Sequence, residues 1–362
     1  MDGFVLSRPD HSVLTRGVRR SFGDAGAATH ALSEGSATLI VGALPFDPSG
    51  ATALYEPAEV AVTGSAWRSD TSVDLPHTHA VREIPSPADH LRRVEKLVTR
   101  LRDGDLGKVV SARTVELRAE SPISPTALAA RMATLNPAAN TFAVDLSAAG
   151  TDFVGHSLVG ATPEVLVSRR GNVVTCRPLA GSARRTAETE ADRVAGDSLL
   201  SSTKNLAEHA FVTDWIRDVL GPLCSELSIP STPELTGTHE VWHLASPIRG
   251  ILRDPTTALA LAIALHPTPA LCGTPTTAAL NVIRDTEEPR RFYGGAVGWC
   301  NNVGDGDWVV AIRCAEISAD GRTAWASAGG GIVADSDPQD ELDETTTKLR
   351  TLLTALGVSD TN

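Results

Sequence analysis

Five cysteines in 362 residues, none in a C-x-x-C pair, are too few and too scattered for a disulfide framework or a zinc site. Cys176, Cys224, Cys272, Cys300 and Cys314 are expected to be buried, reduced thiols of a cytoplasmic protein. No apolar run reaches about 18 residues, which excludes a membrane-spanning helix. Residues Met1 to Pro9 lack both a basic start and a long apolar stretch, so no signal peptide is expected. Basic residues are the minority, 32 against 44 acidic, for a net charge of −12. That argues against nucleic acid and against an anionic membrane surface as partners. An anionic substrate then needs a local cation or a metal. Nothing repeats at a short period, and no stretch is rich enough in Pro, Gly or Ser to divide the chain. A chain with 42% hydrophobic and 21% charged residues is ordinary globular material, not a disordered one.

What is present reads as alternating hairpins and helices. Residues 1–85 hold short strand-like runs, among them Ala37–Leu44 and Pro57–Thr63. Ser86 and Pro87 open a helix whose apolar positions Leu91, Val94, Leu97, Val98 and Leu101 recur at helical spacing, with Asp103-Gly104 as its end. A Val- and Thr-rich strand follows over Lys108–Leu117, then a helix over Thr126–Leu135. Strands are expected at Thr141–Leu146, Phe153–Gly155, Glu164–Arg169 and Val173–Cys176, the last two joined by a Gly171-Asn172 turn. Asp192–Leu220 has the pattern of the longest helix, and Thr257–Leu265 and Thr276–Arg284 of two more. Trp308–Ser318 and Arg322–Ser327 form a hairpin about Asp320-Gly321, and a last helix runs from Pro338 to Leu356 behind the cap Asp337. Without regular βαβ units this is an α+β fold, with large antiparallel sheets and helices packed outside. The chain reads as one large domain with two pseudo-symmetric halves, residues 1–85 forming its N-terminal part and 86–362 its catalytic region.

Several clusters carry chemistry. Gly329-Gly330-Gly331 allow a ligand to approach the backbone closely, yet the spacing is neither a P-loop nor a dinucleotide fingerprint. Glu341, Glu344 and Lys348 share one face of the last helix, with Leu349, Leu352, Leu353 and Leu356 supplying its apolar side. Two carboxylates there suit a hard divalent cation such as magnesium. Glu208, beside His209, lies on the long helix. Glu164 opens a strand after Pro163, where burial would raise its pKa toward general-acid work. Lys108 begins an apolar strand, where desolvation would make it a usable base. Arg313 stands inside an apolar strand and needs an anionic partner, for which a substrate carboxylate would serve.

The order of these motifs is more specific than any one of them. Arg177-Pro178-Leu179-Ala180-Gly181-Ser182-Ala183-Arg184-Arg185, the Glu208-His209 helix, Trp242-His243-Leu244-Ala245-Ser246-Pro247 and His266–Gly273 come first. Phe292–Trp299, Ala311–Ala315, Ala328–Val333 and Glu341-x-x-Glu344-Thr345 follow. Together, from about Lys108 to Leu356, they resemble the chorismate-utilising enzymes, the family of the anthranilate synthase large subunits. The resemblance implies the ADC synthase-like fold and a magnesium-dependent reaction on chorismate, a dicarboxylate. It implies Glu208 and Glu344 as metal ligands, with Glu341 as a neighbouring acid of the metal site. A further family acid on the long helix is replaced here by Asn205. Gly181, Ser182, His243, Ala270, Leu271, Tyr293, Arg313, Gly329, Gly330, Gly331 and Lys348 are the implied substrate-binding positions. Lys108 stands where the water-using branches carry an activating lysine and the ammonia users carry Gln. Ala180 stands where aminodeoxychorismate synthases carry a nucleophilic lysine. The implied activity is isochorismate synthesis: Lys108 activates water for attack at C2, and Glu164 protonates the C4 hydroxyl as it leaves. A salicylate synthase and a non-catalytic chorismate-binding homologue are the alternatives. The family further implies a monomer that needs no glutaminase subunit.

Overall fold

Strand Lys108–Ala119 is the spine of the fold. Its alternating Val, Thr and Leu residues favour extended backbone, and only Thr114 and Arg118 escape full burial. In the computed structural model, which describes residues 3–68, 74–104, 106–238 and 240–358, this strand pairs antiparallel with Thr323–Ile332 over nearly its whole length. Met1 and Asp2 of the N-terminal stretch read above lie outside the described residues. Around this pair the described residues build a 17-stranded sheet and a separate three-stranded one made of Leu179–Arg184, Val241–Ala245 and Glu234–Gly237.

The N-terminal strands run through the interior of that sheet. Gly3–Ser7 pairs with both Ser12–Phe22 and Asn140–Asp145, and Leu39–Leu44 pairs with Ala296–Asn301. Phe4, Leu6, Val41, Ala43, Tyr55, Phe142 and Val297 thereby meet in one apolar cluster. A second cluster lies under helices Pro125–Leu135 and Pro338–Ala355, through Leu128, Met132, Leu349 and Leu352. The third and largest lies under Pro87–Arg102, Thr203–Leu220, Ala258–Leu265 and Thr276–Thr286. Ser86 caps the first of these through the Asp89 amide, and Val94, Leu97, Val98 and Leu101 form its buried stripe, as their spacing predicts. All five cysteines are free and buried. Among the described residues no helix is long and apolar enough to cross a membrane.

Four elements differ from the sequence reading. The helix expected over Asp192–Leu220 is two, Thr189–Ser201 and Thr203–Leu220. Ser202 breaks it, because its hydroxyl accepts from the Asn205 amide and caps the second helix. Phe153–Gly155 is no strand: Thr151–Phe153 is a 3-10 turn between glycines at positive φ, and the strand lies beyond it at Ser157–Thr162. Trp308–Ser318 is two strands, Gly306–Val310 and Cys314–Ile317, parted at Arg313 with φ 52°. Finally, the strand expected over Arg322–Ser327 runs on to Ile332 and takes in Gly329–Gly331. These glycines lie opposite Ala112, Ser111 and Val110.

Candidate active site

The glycine stretch is a length of sheet stripped of side chains so that other groups can lie on it. A Cβ on Gly331 would stand 2.7 Å from Glu208 Oε1 and 2.7 Å from Lys108 Cε. One on Gly330 would stand 2.7 Å from Glu341 Oε2. Two acids and a lysine thus approach the backbone as only glycine permits. We expect Gly331→Ala to push Lys108 and Glu208 apart, lowering turnover about 100-fold at a stability cost of about 1–3 kcal/mol. Steady-state rates and a thermal melt check this, and wild-type turnover would remove the glycine strand from the site.

Lys108 opens the spine strand with 1% of its surface exposed, and its Nζ donates to Glu208 Oε1 at 2.7 Å. Burial works to raise the Glu208 pKa, but the charge and hydrogen bond of Lys108 outweigh it and hold the carboxyl below its ordinary value. Burial strips Lys108 of water, as its place at the head of an apolar strand predicts. It also has a carboxylate partner.

Glu164 sits between strands Ser157–Thr162 and Val165–Arg170, one residue ahead of the strand it was expected to open. It is 4% exposed, and its Oε1 accepts from the Leu179 amide at 3.4 Å. Burial pushes its pKa up to about 7, against the pull of that amide and of the nearby Arg313 and Lys108 charges. Near neutrality it is a carboxylic acid with a proton to give.

Helix Pro338–Ala355 presents the other charged groups. Lys348 Nζ donates to Glu344 and, at 2.9 Å, to the Gly329 carbonyl, which ties the helix to the glycine strand. Glu341 Oε1 accepts from Ser336 Oγ at 2.7 Å, while its Oε2 is buried without a partner. Burial and the charge of Glu344 push Glu341 up to about 7.

One cavity gathers most of the predicted residues. Glu164, Gly181, Ser182, Glu208, His243, Ala270, Leu271, Tyr293, Arg313, Gly329, Gly331, Glu344 and Lys348 all line it. Lys108, Gly330 and Glu341 do not: Lys108 stands behind Glu208, and the alternation of the strand turns Gly330 toward Glu341 and the terminal helix. Burial keeps the His243 imidazole neutral, and its Nε2 has no partner. The left-handed backbone at Arg313 is what frees its guanidinium from strand geometry, and the side chain is buried beside Tyr293, Glu344 and Glu164. Arg313 and Lys348 together make a cationic wall suited to carboxylates. His209 anchors the opposite wall, its Nδ1 at 3.0 Å from the Ala180 carbonyl and its Nε2 at 2.8 Å from Ser246 Oγ. Sequence reasoning missed Arg290, which also lines the cavity and carries no spacing signal of its own, and it assigned no role to Pro163 and Ile312, which lie within quoted motifs.

The acidic set fits a magnesium ion. Glu341 Oε2 is an orphaned buried oxygen facing a second acid, Glu344, across a backbone without side chains. Such like charge is relieved by a divalent cation. Among the described residues no three His, Cys, Asp or Glu side chains converge as a closed cage.

Residues 52–357 match the family described as chorismate binding enzyme. The chain belongs to the chorismate-binding enzymes. Among its relatives, this chorismate-binding enzyme is 49% identical over 358 residues to the Mycobacterium tuberculosis protein named MenF, covering 98% of this chain and 96% of that one. It is 44% identical over 327 residues to the isochorismate synthase DhbC of Bacillus subtilis, covering 89% of this chain and 82% of the relative. The crystal structure of DhbC from Bacillus anthracis superposes with a TM-score of 0.91 at 34% identity, covering 99% of this chain and 97% of that one. The α+β fold with its large antiparallel sheet is the fold of these enzymes.

Proposed function

We propose that this chorismate-binding enzyme is an isochorismate synthase. The observation that carries the reading is one cavity that Glu164, a carboxyl pushed up by burial, lines with Glu208, Arg313 and Lys348, while the buried Lys108 bonds Glu208 from behind. A base and an acid with separated roles are what exchanging one hydroxyl for another requires. Arg313, Lys348 and the backbone of Gly329 hold the carboxylates of chorismate. Lys108 takes a proton from the water that attacks C2. Glu164 gives its proton to the hydroxyl leaving C4 as water, and the ring double bonds shift to match. The water consumed equals the water released. Glu208 and Glu344 are the residues that would hold magnesium, with Glu341 beside them. When bound, the ion supplies charge neutralisation for the substrate carboxylate. Ala180 and Lys108 stand where the amine-using branches need other residues, so neither a glutaminase nor a covalent amine belongs to this scheme. We propose that the enzyme acts as a cytoplasmic monomer.

The test is a product assay. Chorismate and magnesium are incubated with the protein, and the products are resolved by chromatography with an EDTA control. Isochorismate alone, lost with EDTA, is the expected result. Salicylate with pyruvate would assign the salicylate branch instead, and retained chorismate binding without conversion would make the protein a non-catalytic homologue. We further expect Glu344→Gln to raise the magnesium concentration for half-maximal rate by at least about 10-fold. An unchanged magnesium titration would place the ion elsewhere.

A further inference from the structure

The spine strand has a break along one edge beside Lys108. On its inner side it pairs with Thr323–Ile332 without interruption. On its outer side Thr78–Ile84 pairs only with residues from Thr114 onward, and the two-residue strand Gly273–Thr274 pairs only with Lys108 and Val109. Between these, the outward backbone groups of Val110 and Ala112 have no strand opposite them. The Val110 amide reaches the Cys272 carbonyl at 2.9 Å. Side chains take the other three. Arg290 Nη2 donates to the Val110 carbonyl at 2.8 Å, Glu287 Oε1 accepts from the Ala112 amide at 2.8 Å, and Arg93 Nη1 donates to the Ala112 carbonyl at 3.1 Å.

Arg290 is the hub of this patch. Its Nε donates to Glu287 Oε2 at 2.7 Å, and its Nη1 donates to the carbonyl of Leu271, a wall of the cavity, at 2.8 Å. Both side chains of the pair are at most 4% exposed, and the guanidinium stacks over Phe46 at 4.4 Å. The Arg290–Glu287 pair therefore joins the strand that begins with Lys108 to the loop carrying Leu271. A rigid, buried, bidentate guanidinium holds such a geometry where a flexible single donor does not. Among the described residues no strand covers this edge, and besides the Arg290–Glu287 pair only the Cys272 carbonyl and Arg93 hold it: a cleft of about 500 Å³, lined by Ile84, Arg93, Ala112, Thr114, Glu287 and Arg290 among others, opens over the break.

We infer that Arg290, oriented by Glu287, is a positioning residue for the reaction: it substitutes for a missing strand and so fixes Lys108 and the Leu271 wall relative to bound chorismate. This rests on the isochorismate synthase reading. The test uses the full chain carrying Arg290→Lys or Glu287→Gln, with kcat, KM for chorismate, a thermal melt, and amide hydrogen exchange of the segment 108–113. Lysine keeps the charge but cannot reach both carbonyls. For Arg290→Lys we expect kcat to fall about 10- to 100-fold, since small misplacements of a reacting group cost that much, with KM within about threefold of wild type. Faster exchange at Val110 and Ala112 accompanies it. Glu287→Gln, whose amide oxygen still accepts from Ala112, loses less of kcat in the same pattern. If Arg290→Lys does not fold, Glu287→Gln supplies the same readouts. A folded variant with wild-type kcat overturns the inference, as does wild-type exchange at both amides. Failure of the functional reading is separate: the wild-type chain would then not convert chorismate, and exchange, which needs no turnover, decides on the clamp by itself.

Discussion

Replacing Lys108 with alanine is expected to abolish measurable conversion of chorismate, a loss of at least about 10²–10⁴-fold. The amine lies against Gly331 and donates to a candidate metal ligand, Glu208. The fold should survive with a lowered melting temperature. Removing one member of a buried ion pair strands the other, which costs about 3–5 kcal/mol when the survivor stays dry. Glu208, however, lines the cavity, where water can reach it. The double variant Lys108→Met with Glu208→Gln removes both charges and should recover much of the melting temperature without recovering activity. The recovered melting temperature measures the ion pair's part in stability, while the single Lys108→Ala variant reports on the base. Wild-type rates in a folded Lys108→Ala protein would end the assignment.

Glu164→Gln is the second large effect, again about 10²–10⁴-fold in kcat. Here the pH dependence gives a finer test. Burial raises this carboxyl from its ordinary 4.5 to about 7. A general acid works only while protonated, so wild-type activity falls as pH rises through about 7. The residual activity of the glutamine variant should lack that descending limb. Stability follows the same sign. The folded state prefers the protonated form, so the carboxyl's contribution is full below pH 4.5, declines above it and is lost through about pH 7. The glutamine variant cannot ionise there, and its advantage in stability should grow toward alkaline pH, to on the order of 3 kcal/mol. Melting curves from pH 5 to 9, on the order of one per pH unit, check this. A variant whose residual rate still falls through neutrality would move that limb to another group.

Much of this site was legible because its parts sit on strong local signals. Ser86, Pro87 and the stripe from Val94 to Leu101 announce a helix, and Gly171-Asn172 announces a hairpin; both stand as read. The cavity residues lie in short runs whose order along the chain is distinctive. What escaped the sequence depends on three-dimensional company. Ser202 looks like any polar residue on a helical stripe until its hydroxyl takes the Asn205 amide. Arg313 looks like part of a strand until its φ of 52° ends one. The partner of Lys108 is hidden because Glu208 is remote in sequence and adjacent only after folding. Arg290 is invisible for the same reason, since the strand it completes is missing from a place that pattern alone does not reveal.

The threading of the sheet sets how this protein comes into being. Gly3–Ser7 waits for Asn140–Asp145, Leu39–Leu44 waits for Ala296–Asn301, and the spine waits for Thr323–Ile332. A chain leaving the ribosome therefore carries half-finished sheet edges through most of its synthesis. Refolding from such distant pairings is slow, and the exposed edges invite aggregation. Glu341, Glu344 and Lys348 arrive last of all, on the closing helix. A chain cut before that helix keeps Glu164, His243 and Arg313 but loses Glu344 and Lys348 from the cavity wall, and is expected to be inactive.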